Sequence, residues 1–239
     1  MRYRARQLAL ALALPSPPSW GGRRAGAGRK PAPGRRRMSH SRRAAHDRRC
    51  PVHVTLRACE TLPSLRRDDV FAAARAAFAK TSKGRFRLVH YSVQRDHVHL
   101  LVEGDSLRDL RRGIQGLAIR VAKAINRALG RRGKVWWDRY HARTLATPRE
   151  VRHALVYVLQ NWKKHLRGVR GLDPQSSAAW FTGWRVSTRI PAGRPPVARA
   201  RTWLASVGWR RHGLLGIDEA PRQPSRGGSV GDPRPLPRL

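Results

Sequence analysis

The chain has 239 residues, with 51 Lys and Arg against 14 Asp and Glu, a formal charge of +37. That length suits one domain with extensions. The charge points to a polyanionic partner, nucleic acid first and an anionic membrane surface second, although Arg-rich coding inflates it and it says nothing of sequence specificity. No apolar run approaches the about 20 residues of a membrane span, and two isolated cysteines, Cys50 and Cys59, exclude a disulfide framework and fit a reducing compartment.

Residues 1–48 read as a disordered basic arm on composition. Arg2, Arg4 and Arg6 before the run Leu8–Leu14 superficially resemble a secretory signal, but the run is short and no clean cleavage site follows. Met38 is an alternative start. Pro51–Ala58 alternates, with Val52, Val54 and Leu56 on one face and His53, Thr55 and Arg57 on the other, as a half-buried strand does. Asp68–Lys80 places Val70, Ala74, Ala77 and Phe78 at helical spacing. Phe86–Val93 and His97–Glu103 are strands joined by a short turn into a hairpin.

Ser106–Leu129 is the clearest helix. Ser106 and Asp109 make a capping box, Gly130 sits at the C-terminal cap, and Leu107, Leu110, Ile114, Leu117, Val121, Ile125 and Ala128 form an apolar stripe. Arg108, Arg112, Lys123 and Arg127 lie off that stripe, on a face that is either solvated or turned to nucleic acid. Part of Lys134–Ala146 is a fourth strand; Trp136, Trp137 and Tyr140 within it either stack on unpaired bases or pack in the core. A last helix starts at Thr147, with Pro148 at its first position and Glu150 closing a capping box, and runs to about Leu166.

This order predicts an α+β fold, a ferredoxin-like antiparallel sheet (βαββαβ) with helices on one face and a further C-terminal helix. The second face is expected to be free for a site. Residues 49–167 form the predicted domain, 168–219 a Trp- and Arg-containing extension with a short packed element at Thr202–Leu215, and 220–239 a disordered tail.

Two features carry chemistry. In Asp96-His97-Val98-His99-Leu100-Leu101-Val102-Glu103 the two imidazoles share one strand face while Val98, Leu100 and Val102 take the other. Side by side, they can grip a metal ion; an inert surface pair or a zinc fragment is the alternative. His53 and Arg57, on the neighbouring strand, are either near the same place or merely exposed. On the last helix Val151, Leu155, Val158, Leu159, Trp162 and Leu166 form the apolar stripe, and Tyr157 and Asn161 fall opposite, one turn apart, with His153, Gln160 and Lys164 nearby.

His97-Val98-His99 resembles the HUH motif of the single-tyrosine transposases, and Tyr157-Val158-Leu159-Gln160-Asn161 resembles their tyrosine helix. The likeness covers about residues 50–166 and is strongest to the REP-associated and insertion-sequence groups; Trp162 stands where a Pro commonly follows the Asn. It implies that His97, His99 and Asn161 hold Mg²⁺ or Mn²⁺. It implies that Tyr157 attacks single-stranded or hairpin DNA to give a 5′-phosphotyrosine and a free 3′-hydroxyl. His153, Gln160 and Lys164 are possible auxiliaries; Arg57, Arg108, Arg112, Lys123, Arg127, Trp136 and Trp137 are candidate DNA contacts. It further implies a homodimer in which the tyrosine helix often completes the partner's site, a bacterial cytoplasmic protein without membrane partner or small-molecule cofactor. A domesticated binder of DNA or RNA hairpins is the alternative.

Overall fold

The computed structural model describes residues 46–82, 84–165 and 169–221. Met38, the arm up to residue 45 and the tail from 222 lie outside these residues. Residues 46–48 belong to the folded unit rather than the arm, since His46 Nε2 bonds the Gly104 carbonyl at 2.8 Å.

The elements follow the expected order: β1 (Val52–Arg57), α1 (Asp68–Ala79), β2 (Phe86–Val93), β3 (His97–Gly104), α2 (Leu107–Ala128), β4 (His141–Thr144) and α3 (Pro148–Gln160). The sheet order is β2-β3-β1-β4 and every neighbouring pair is antiparallel. This is the βαββαβ arrangement. β1 is an inner strand, paired with β3 on one edge and β4 on the other.

One face of the sheet carries Val52, Val54, Leu56, Leu88, Val98, Leu100 and Val102, packed under α1 and α2. At Thr147 the predicted capping box forms in full; at Ser106 only its N-cap bond does. Ser106 Oγ accepts from the Asp109 amide at 3.1 Å, and Thr147 Oγ1 accepts from the Glu150 amide at 3.2 Å while Glu150 reaches back to the Thr147 amide at 3.1 Å. At Gly113 a Cβ would meet the Phe86 ring at 2.1 Å, so only glycine lets α2 approach β2 this closely.

Three expectations need correction. The second sheet face is not free: α3 and the segment after it cover most of it. Val89 and Leu101 of the sheet pack there with Val151, Leu155 and Leu159 of α3 and with Phe181, Trp184 and Trp209 beyond. The segment 169–221 is therefore part of the core rather than an appendage. It runs along the outer edge of β2, through Val93 N–Gln175 O (2.9 Å), Ser177 N–Tyr91 O (2.9 Å) and Ala198 N–Leu88 O (2.8 Å). That pairing satisfies backbone groups an edge strand would expose. Arg66 forks onto the buried Asp173 carboxylate at 2.8 and 3.0 Å. The predicted packed element within Thr202–Leu215 is present as α5 (Trp203–Ser206) and a 3₁₀ turn at Gly208–His212.

The last helix is not continuous to Leu166. α3 ends at Gln160, Asn161 interrupts it, and a short α4 (Trp162–His165) follows. No helix among the described residues is long and apolar enough to cross a membrane.

Candidate active site

β3 sets the geometry. Its period of two puts His97, His99, Leu101 and Glu103 on one face. Leu101 and Glu103 are fully buried beneath α3 and the C-terminal segment. His97 and His99 lie at the start of the strand, where their rings stand 4.6 Å apart at 77°.

Each imidazole is anchored through Nδ1. That of His97 donates to Asp96 Oδ1 at 2.7 Å, and Arg57, its register partner on β1, also pairs with Asp96 at 3.3 Å. The hydrogen bond from His97 and the nearby Arg57 guanidinium hold the Asp96 carboxyl down at about 2. That of His99 lies 3.1 Å from Thr55 Oγ1 and 3.3 Å from His53 Nε2. Nδ1 anchoring fixes ring orientation and leaves Nε2 of each ring as the atom that could bind a metal. Burial, with His141, Arg143 and His97 nearby, pushes His53 down to about 4, so it is neutral near pH 7.

Tyr157 joins this group from α3. Its ring lies 4.9 Å from that of His99 at 77° and 5.6 Å from that of His53 at 68°. The capping box fixes where α3 starts and hence the angle at which residue 157 points. The helix is buried on two flanks, toward the sheet and toward the C-terminal segment, and Tyr157 occupies the strip between them, half-buried. The tyrosine thus stands against histidines of its own chain. Lys164 Nζ lies 5.9 Å from the Tyr157 ring centroid.

Asn161, one turn after Tyr157, is 0% exposed. Neither its Oδ1 nor its Nδ2 has a hydrogen-bond partner among the described residues. A buried amide left this way costs about 1–3 kcal/mol. A water or an ion would satisfy such a group. No cluster of three His, Cys, Asp or Glu among the described residues could hold a metal. The donor set that fits is mixed: two Nδ1-anchored imidazoles and one amide oxygen.

Other predicted residues divide. Arg57 is at the site through Asp96, and His153 is exposed one turn before Tyr157. Gln160 is turned away: its Nε2 donates to the carbonyls of Gly216 (3.2 Å) and Ile217 (2.6 Å), so it fastens the C-terminal segment. Trp136 is half-buried against the first core and donates Nε1–H to the Ala118 carbonyl at 2.9 Å. Trp137 is 37% exposed, with Lys134 Nζ 5.6 Å from its ring. Arg108, Arg112, Lys123 and Arg127 are on α2, which packs on the face opposite the histidines, so they do not join this site.

Sequence reasoning underweighted His53 and overlooked Thr55 and Asp96. The alternation of β1 does place His53 and Thr55 on the off-core face, which was the available signal. Nothing local shows that α3 roofs that face.

Residues 48–161 match the family model of IS200-like transposases. This segment is similar to the IS200-like transposases. It holds the site residues from His53 to Asn161, leaves out Lys164, and stops where α3 breaks. The covering segment 169–221 lies beyond it. A solved structure of a REP-associated tyrosine transposase bound to a REP hairpin is similar to this chain, with a TM-score of 0.44 and 20% identity over 54% of this chain and 74% of that one. No curated protein matches the sequence.

Proposed function

We propose that this chain is an IS200-like transposase that cuts and rejoins single-stranded DNA through Tyr157, at a structured hairpin. The observation that carries the reading is the Tyr157 ring set against His99 and His53, one turn before a buried amide without a partner.

The Tyr157 phenolate attacks phosphorus, the bond from phosphorus to the 3′ oxygen breaks, and that oxygen leaves with a proton as a 3′-hydroxyl. The product is a 5′-phosphotyrosine. A 3′-hydroxyl attacking that phosphotyrosine reverses the step, and the covalent bond conserves the energy, so no nucleotide cofactor is needed. An ordinary tyrosine has a pKa near 10, and the Lys164 ammonium beside the ring favours the phenolate. Asp96 and Thr55 hold the two imidazoles in place, and Arg57 adds positive charge beside them.

His97, His99 and Asn161 would hold a divalent ion, Mg²⁺ or Mn²⁺, which draws charge from the scissile phosphate when bound. A homodimer and work in the bacterial cytoplasm belong to this reading. So do DNA contacts by Arg57 and Trp137, while Arg108, Arg112, Lys123 and Arg127 face away and are left out of it.

The test is adduct formation on labelled single-stranded hairpin oligonucleotides from the gene's own flanks, with Mn²⁺ or Mg²⁺, on denaturing gels. A metal-dependent protein–DNA band that vanishes in Tyr157→Phe is expected. Hairpin binding with no band would assign the chain to a domesticated, non-transposing binder. A band persisting in Tyr157→Phe would name another nucleophile.

A further inference from the structure

At the end of the sheet away from the histidines lies a cleft of about 830 Å³. Chain ends of several elements line it: Arg48 before β1, Arg85 before β2, Asp105 after β3, and Arg201 and Trp203 from the C-terminal segment. Two of its cations are neutralised, Arg49 by Asp47 and Arg87 by Glu103 and Asp105. Arg48, Arg85 and Arg201 are exposed, and no ion pair involves them among the described residues. Trp203 is 48% exposed, seated against Gly208 with Arg211 over its ring at 4.9 Å. The cleft continues into a smaller one that adds Arg199.

The cleft and the active site share a face. His97, His99, Leu101 and Glu103 alternate along one side of β3. Glu103 pins the segment bearing Arg201 and Trp203 by accepting from the Arg201 and Thr202 amides at 2.9 and 3.0 Å. The eight residues of β3, at about 3.3 Å each, separate the two places by about 25 Å. At about 3.4 Å per nucleotide step of duplex, that is the length of about seven base pairs.

We propose that this cleft is a second DNA-binding site, in which Arg48, Arg85 and Arg201 hold backbone phosphates and Trp203 offers a stacking surface. It grips the same DNA whose scissile phosphate lies at the histidine end of the sheet. The last clause rests on the reading of the active site given above; the binding site itself does not. Segment 169–221, outside the family match, thereby acquires a role: it supplies the cations that complete the cleft. Exposed arginines outside any ion pair among the described residues, with Asp105 acting on Arg85 and Arg201 only through space, suit a polyanion, and the exposed indole suits an unpaired base.

The test is equilibrium binding of the full chain to a labelled 30-base-pair DNA hairpin, from about 50 to 300 mM NaCl. Each phosphate contact contributes about 0.9 to the slope of log K against log salt. The triple variant Arg48→Ala, Arg85→Ala, Arg201→Ala should lower that slope by about 2 to 3 and weaken binding at least tenfold. Lysines at the three positions should restore the slope, which a folding defect would not allow. A control triple, Arg108→Ala, Arg112→Ala, Arg127→Ala on α2, should change it by less than about 1.

An unchanged slope in the cleft variant overturns the proposal. So does an equal loss in the α2 control, because the effect would then be net charge alone. Loss of affinity for an RNA hairpin with DNA affinity intact overturns the choice of DNA. Binding needs no cleavage, so a chain that never forms an adduct still reports on the cleft. Adducts with an unchanged slope would remove the cleft alone.

Discussion

Glu103 joins the family-matched segment to the segment that covers it, and Glu103→Gln tests how tightly. The carboxylate is 0% exposed. Oε2 accepts from Arg87 Nε at 2.9 Å and from the Arg201 amide at 2.9 Å. Oε1 accepts from the Thr202 amide at 3.0 Å and from Thr202 Oγ1 at 2.8 Å. Glutamine has nearly the same shape, but one oxygen becomes an NH₂ donor. In either orientation that donor faces a backbone N–H, which cannot accept. With the donor toward Thr202 the hydroxyl can turn to accept and only the Thr202 amide loses its acceptor; that bond, about 1.5–3 kcal/mol, and the lost charge opposite Arg87 together approach the about 3–5 kcal/mol for removing one member of a buried pair. Against a usual stability of about 5–15 kcal/mol that is a large fraction, and at about 2–4 °C per kcal/mol the midpoint should fall by about 10 °C. Urea and thermal unfolding followed by tryptophan fluorescence would measure it, with Trp203 and Trp209 reporting on the covering segment. A loss below about 1 kcal/mol would refute the claim that this carboxylate ties the segment down.

Asn161→Leu should abolish adduct formation yet leave stability unchanged or raise it by about 1 kcal/mol, because it removes two buried polar atoms without partners. Retained cleavage with a stability loss would make Asn161 a structural residue. His90 is buried against Ser177 Oγ at 3.0 Å, and burial pushes it down from 6.5 to about 4. Its folded pKa lies below its unfolded one, so its contribution is complete above about pH 6.5 and is lost as pH falls toward 4. Comparison of wild type with His90→Gln by urea titration should show wild type losing up to about 3 kcal/mol more over that window; parallel pH profiles would refute it. Lys164→Met removes a cation 5.9 Å from the Tyr157 ring centroid, and adduct formation should slow across the pH range. An unchanged profile would take Lys164 out of the mechanism.

Local pattern determined the elements. Alternation in His97–Glu103 fixes which residues share a face, the caps at Ser106 and Thr147 fix where α2 and α3 begin, and the 3.6-residue stripe of α2 fixes the side it buries. These depend on neighbours within a few residues, so sequence spacing carries them. For the same reason the histidine pair and the tyrosine–asparagine spacing were legible. The tertiary structure decided what each remaining face meets. His53 enters the site because α3 roofs the far side of the sheet. Gln160, beside Asn161 in sequence, turns the other way to hold Gly216 and Ile217. Trp136 is a packed indole bonded to Ala118, and the cations of α2 point away from the histidines. Sequence spacing shows that a helix has a polar side, but which partner covers that side depends on contacts between residues far apart in the chain, and those exist only once the sheet, α3 and the segment after it have packed together.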